Sequence, residues 1–152
     1  MHKSFLLFLF LAISACGFEP ISKTFNYNYY IKDISYSGDL KVNRLLERNF
    51  SNLQRNISAT KFYNIKFNTE TERIIKSKNS SGEVTGYKLS ISIDLIASKN
   101  EKKVFEKTYN ENVSYSNLSS KFELKQYENI LKQDLVRKVS LEIQNDLASL
   151  DD

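Results

Sequence analysis

One cysteine, one histidine, one proline, four glycines and no tryptophan occur among 152 residues, and most of these shortages remove a class of chemistry. A lone cysteine, Cys16, cannot close an internal disulfide. A lone histidine, His2, leaves a Cys/His zinc set unassembled, since such sites take four ligands. The scattered glycines form no phosphate-cradling loop, and no cofactor motif is present. Both His2 and Cys16 fall within the first 16 residues. Beyond them the chain has no imidazole base and no thiol nucleophile, so catalysis there would rest on carboxylates alone.

The longest apolar run, Phe5 to Ile13, follows Lys3 and ends in Ser14-Ala15-Cys16. A positive start, an apolar middle and small residues are the order of an export leader. At roughly 10 residues the run is about half of the ~20 that a membrane-spanning helix needs. A cysteine directly after the small residues is the pattern of a bacterial lipobox, in which the thiol is acylated and the chain is cut before it. The plainer reading is an ordinary leader with a cysteine near its cut site. The lipobox reading divides the chain into a leader (1–15), a lipidated Cys16 with a tether to residue 28, and one folded domain over 29–152. The tether holds the only proline, Pro20, and about 12 residues of it reach at most ~40 Å. Loss of Lys3 with the leader lowers the formal charge from +4 to +3. That excess favours anionic partners. Export removes nucleic acid from among them and leaves anionic lipid and phosphorylated glycolipid.

The remaining length suits one domain with a single core. Tyr30, Ile34 and Tyr36 alternate with polar residues up to Ser37, with Lys32 as an exception, which predicts a first strand. Gly38-Asp39 ends it. Val42, Leu46 and Phe50, with Leu45 and Leu53 beside them, predict an amphipathic helix to about Ser58, with Lys41, Arg44, Glu47, Arg48 and Arg55 on its wet side. Tyr63 to Lys78 reads as a second strand and Asn79-Ser80-Ser81-Gly82 as a turn. Tyr87, Leu89, Ile91, Ile93 and Leu95 alternate with Lys88, Ser90, Ser92 and Asp94, the pattern of a central strand with one polar face. After the turn Lys99–Lys102, Phe105, Tyr109, Val113 and Tyr115 mark a fourth strand. A final helix over about Lys121 to Leu150, capped by Ser120, carries Leu124, Tyr127, Leu131, Leu135, Val139, Ile143 and Leu147. The order β-α-β-β-β-α predicts an α+β fold: a two-layer sandwich of a four-stranded mixed sheet with two helices on one face. The first strand, helix and second strand form a parallel crossover, and the rest a meander.

Two hairpin tips are basic: Lys76 and Lys78 flank one, Lys99, Lys102 and Lys103 the other. They lie some ~35–40 Å apart, at opposite ends of the third strand, and so form no single site. Each is a candidate contact for a phosphate or an acidic partner, although lysines at turns more often confer solubility. Glu70 and Glu72 share a strand face and are the pair from which carboxylate chemistry would start. Without clustered acids elsewhere, catalysis is not expected.

The segment Cys16-Gly17-Phe18-Glu19-Pro20, a lipobox running into Gly-Phe-x-Pro, resembles the start of the LPS-assembly lipoprotein family LptE. The resemblance extends over the mature chain in size, element order, the Tyr109-Asn110 strand segment, the Ser-rich break at Asn117 to Ser120 and the long closing helix. Glu19 and an alanine-poor closing helix depart from the family's habit. The resemblance implies an outer-membrane lipoprotein facing the periplasm, with no cofactor. It implies seating inside a large β-barrel, the LPS-assembly protein LptD, as plug and assembly factor, and help for lipopolysaccharide on its way to the outer leaflet. Polar outer faces suit a water-lined barrel interior. Two rivals stand beside it: an auxiliary lipoprotein of another envelope lipid-transport complex, and a carboxylate-based periplasmic enzyme.

Overall fold

A computed structural model describes residues 28–55, 59 and 61–150; the expected leader, Cys16 and the tether up to residue 27 lie outside the described residues. The elements are β1 (Tyr29–Gly38), α1 (Leu40–Phe50), a 3-10 turn (Leu53–Arg55), β2 (Lys61–Lys78), β3 (Val84–Lys99), β4 (Lys102–Ser116) and α2 (Lys121–Ala148). The strands form one sheet in the order β1-β2-β3-β4. The pair β1–β2 is parallel and the other two are antiparallel. This is the expected β-α-β-β-β-α sandwich with both helices on one face. Among the described residues no helix is long and apolar enough to cross a membrane.

Alternation explains the sheet. On β3, Leu89, Ile91, Ile93, Leu95 and Ala97 are all buried, while Lys88, Ser90, Ser92 and Asp94 stay half-exposed. Tyr63, Ile65, Phe67 and Thr69 of β2 and Tyr109 and Tyr115 of β4 extend the same buried face. The other face is polar and internally bonded. Ser37 Oγ donates to Asn68 Oδ1 (3.1 Å), Asn68 Nδ2 donates to Asp94 Oδ2 (3.1 Å), and Thr108 Oγ1 donates to Asp94 Oδ1 (2.7 Å). One polar row thus crosses all four strands.

β1 departs from simple alternation. Ile31 pairs with Tyr63 and Asp33 with Asn64, so Lys32 is an extra residue, a bulge that shifts the phase of the strand. Tyr29 and Ile31 face the core before it, Ile34 and Tyr36 after it. Tyr30, expected on the core side, instead stands against Phe62 on the polar face, ring centroids 5.8 Å apart. The Lys32 ammonium lies 5.8 Å from the centre of the same ring.

α1 is shorter than its hydrophobic spacing predicts. It begins at Asp39, whose Oδ1 accepts from the N–H groups of Lys41 (2.8 Å) and Val42 (3.0 Å). The α-helix ends at Phe50, where Asn49, Ser51 and Asn52 are weak helix formers and Ser51 Oγ donates to the Arg48 carbonyl (2.9 Å). Leu53 still packs inward, from the 3-10 turn rather than from a helix reaching Ser58.

α2 keeps the expected start, Ser120 Oγ accepting from the Glu123 N–H (3.3 Å), and ends at Ala148. Its inner stripe is Leu124, Leu135, Val136, Val139, Ile143 and Leu147. Tyr127 is 41% exposed and lies at its edge. A polar seam joins the helices. Asn49 Nδ2 donates to Ser140 Oγ (2.9 Å), Ser140 Oγ to the Val136 carbonyl (2.8 Å), and Gln144 Nε2 to the Asn49 carbonyl (3.3 Å). Tyr29 Oη reaches the Gln144 carbonyl from below (3.1 Å). These pairs fix the register of the two helices.

Candidate functional site

α1 has 11 residues and α2 has 28, and the difference opens a cleft. The Asn49–Ser140 bond and the Asp39–Lys132 ion pair (3.5 Å) set α1 against the later part of α2. The first turns of α2 therefore run on beyond the start of α1. β2 and β3 run on below them with Thr71, Arg73, Tyr87 and Leu89 as a floor. Where the helix layer is missing, a cleft of about 760 Å³ remains, closed at its far side by Asn117 to Ser119. A second hollow of about 580 Å³ continues between the two helices and shares Lys41, Asn129 and Lys132 with the first.

This groove is strongly basic. Seven cationic residues line its two parts, against two acidic ones, Glu47 and Glu128. Arg73 and Lys132 have partners. Arg73 Nε sits 3.0 Å from Glu128 Oε1, and its guanidinium carbon lies 3.8 Å from the centre of the Tyr87 ring. The same Glu128 oxygen accepts from Tyr115 Oη at 2.6 Å. Burial and the facing Glu128 carboxylate hold the Tyr115 phenol well above its ordinary pKa, so it remains a donor. Tyr115 stacks on Tyr87 and meets Tyr127 edge-on, so the floor of the cleft has an aromatic margin. Lys41, Arg44, Arg48, Lys121 and Lys125 make no ion pair among the described residues.

Asp39 stands at the junction of the two hollows. Partial burial works against its ionisation, but the Val42 N–H, the Lys132 ammonium and the Lys41 N–H outweigh it and bring the carboxyl below its usual range. Just before it Gly38 adopts φ +88°, and the Asp39 N–H donates to the Thr69 carbonyl at 2.9 Å. Thr69 Oγ1 donates to Asn43 Oδ1 (2.8 Å), so the start of α1 is pinned to β2.

The lysines singled out at the hairpins stay at opposite poles, as expected. Lys76 Nζ donates to Ser114 Oγ at 2.8 Å, and Lys78 is exposed at the end of β2. Lys99 and Lys102 flank the turn Asn100-Glu101, in which both residues have positive φ (50° and 65°). Lys103 pairs with Glu106. Glu70 and Glu72 lie on the polar sheet face opposite Ser92 and Ser90, beside a depression of about 260 Å³. Among the described residues no three His, Cys, Asp or Glu side chains gather as a metal site. At the far pole, Lys107 Nζ joins Glu142 (3.0 Å) and Asp146 (2.8 Å), and Tyr109 Oη donates to Asp146 (2.7 Å). The sequence reading missed the cleft. Its signal was the run Lys121, Lys125, Lys132 on α2 facing Lys41, Arg44 and Arg48 on α1, six charges that each helix alone presents as an ordinary wet face.

No family model matches the chain, and no curated protein matches it. Solved structures do resemble it. The rare lipoprotein B of Shewanella oneidensis superposes with a TM-score of 0.59 at 15% identity, over 77% of this chain and 94% of that one. An uncharacterized lipoprotein B of Nitrosomonas europaea gives 0.58 at 17% identity, over 88% and 91%. A putative lipoprotein of Caulobacter crescentus gives 0.53 at 17% identity, over 78% and 88%. At these identities the likeness establishes a shared fold.

Proposed function

We propose that this chain is an outer-membrane lipoprotein of the LptE type, held to the membrane by acyl chains on Cys16 and acting by binding rather than by catalysis. Its partner is a large LptD-like β-barrel that it plugs, and it assists lipopolysaccharide on the way to the outer leaflet. In this reading the exposed hairpin lysines, Lys76, Lys78, Lys99, Lys102 and Lys103, are candidate contacts for the glycolipid's phosphates. The observation that carries the reading is the fold shared with proteins described as lipoproteins, over most of both chains. Two further features support it. The order Ile13-Ser14-Ala15-Cys16 after an apolar run is that of a lipobox. The sheet face away from the helices is polar and internally hydrogen-bonded through Ser37, Asn68, Asp94 and Thr108, which suits a water-lined lumen.

Photo-crosslinking from Asn110 and Ser92 on that face, in intact cells, tests the partnership: the expected adduct is a large outer-membrane barrel. Adducts confined to inner-membrane transporter subunits would assign the chain to another lipid-transport complex. Labelling with a radioactive fatty acid tests the anchor. Incorporation is expected in the natural chain and absent in Cys16→Ser, and undiminished labelling of that variant refutes the assignment of Cys16.

A further inference from the structure

We infer that the basic groove ahead of and beside α1 binds an extended, acidic segment of a partner polypeptide. This goes beyond the proposed barrel partnership and stands without it. The cations form two rows instead of one focus. Lys41, Arg44 and Arg48 follow α1, and Lys121, Lys125 and Lys132 follow α2. At 1.5 Å per helical residue the second row spans ~17 Å, the length of five or six extended residues at ~3.3 Å each. Side chains on one side of such a segment recur every ~7 Å, near the ~6 Å between Lys121 and Lys125. Between the charges stand the amides of Asn117, Gln126, Asn129 and Gln133, each able to donate to and accept from a peptide backbone. Leu89, Leu124 and Tyr87 give the floor apolar surface for side chains interleaved with the acids.

A compact phosphate fits less well. The N–H groups that a helix start offers to a phosphate are already taken at α1 by Asp39, through Lys41 and Val42. At α2 the Glu123 N–H is occupied by Ser120. Asp39 and Glu128 also place carboxylates inside the groove, where they repel a concentrated double charge but leave room for single carboxylates spread along the rows. The unpaired cations are mainly lysines, point charges without the bidentate fork that selects phosphate.

The test uses the full chain in detergent and a fluorescein-labelled seven-residue peptide with glutamate at alternate positions and leucine or serine between. Saturable binding by fluorescence anisotropy is expected, weakening as salt rises. Lys41→Glu and Lys125→Glu, both at exposed positions, should each weaken it at least ten-fold, and Lys102→Glu at the opposite pole by less than two-fold. Circular dichroism checks that each variant is folded. The inference is overturned by absence of saturable binding, or by equal loss from Lys102→Glu. It is also overturned if phosphatidylglycerol vesicles or inorganic phosphate occupy the groove while the peptide does not.

Discussion

Gly38 is the position where a single methyl group should do most damage. Its φ of +88° belongs to the left-handed region, and a Cβ there would stand 1.9 Å from the Thr69 carbonyl oxygen. That oxygen accepts the Asp39 N–H at 2.9 Å, so it cannot retreat without breaking the bond that starts α1. In Gly38→Ala the backbone conformation alone costs about 1–2 kcal/mol. The displaced hydrogen bond adds about 1 kcal/mol, and the forced separation of β1 from β2 adds to both. A loss of about 3 kcal/mol or more is expected, a large share of the 5–15 kcal/mol typical of whole domains, or roughly 10 °C in melting temperature. Urea unfolding followed by circular dichroism measures it, with the midpoint falling and the slope unchanged. Because Lys41 rides on the start of α1, acidic-peptide affinity should fall in parallel. A loss below about 1 kcal/mol would show that the β1–α1 junction is not held as described.

Three further outcomes follow from other parts of the fold. Asp39→Ala should cost about 1 kcal/mol at pH 7 by removing the α1 cap. Since the folded-state pKa of Asp39 is depressed, the natural chain's advantage is complete above the unfolded value of about 4 and vanishes as pH falls through the lower folded value; urea midpoints at pH 7 and pH 3 check the sign. Glu101→Gly should stabilise by about 0.5–1 kcal/mol, because the turn holds Glu101 at φ 65°, a conformation glycine adopts without strain; a lower melting temperature would contradict it. Phe67→Ala should cost about 3–5 kcal/mol, since the ring is buried between Tyr36 and Phe50, centroids 5.7 and 5.5 Å away, and equilibrium unfolding reads the loss.

Much of the fold is legible wherever one periodicity holds over many residues. β3 alternates without fault from Tyr87 to Leu95, and its buried face is the one its spacing predicts. The cap residues Asp39 and Ser120 are read correctly because a short polar side chain before an apolar stripe has few other uses. Errors arise where one residue changes the phase or where packing overrides spacing. Lys32 adds a residue to β1, so Tyr29, not Tyr30, is inside; a bulge leaves no mark in a hydrophobicity pattern. Val136 is buried although the three-and-four rhythm passes beside it, because the α1–α2 seam turns that face inward. The cleft was beyond pattern reading. It is a missing stretch of helix layer, defined by how far α2 and the β2–β3 pair outrun α1, and relative lengths in space are settled by register.

The parallel pairing of Tyr29 with Lys61, and of Asn64 with Ser98, puts the first ordered residue beside the β3–β4 turn. Arg73 and Tyr87 lie at the far end of the same strands, ~40 Å away at ~3.3 Å per residue. A domain tied down through its leading residues therefore carries its most positive surface like a lamp on a post, turned from the point of attachment. Lengthening or shortening the tie would alter how far that surface reaches and leave its chemistry unchanged.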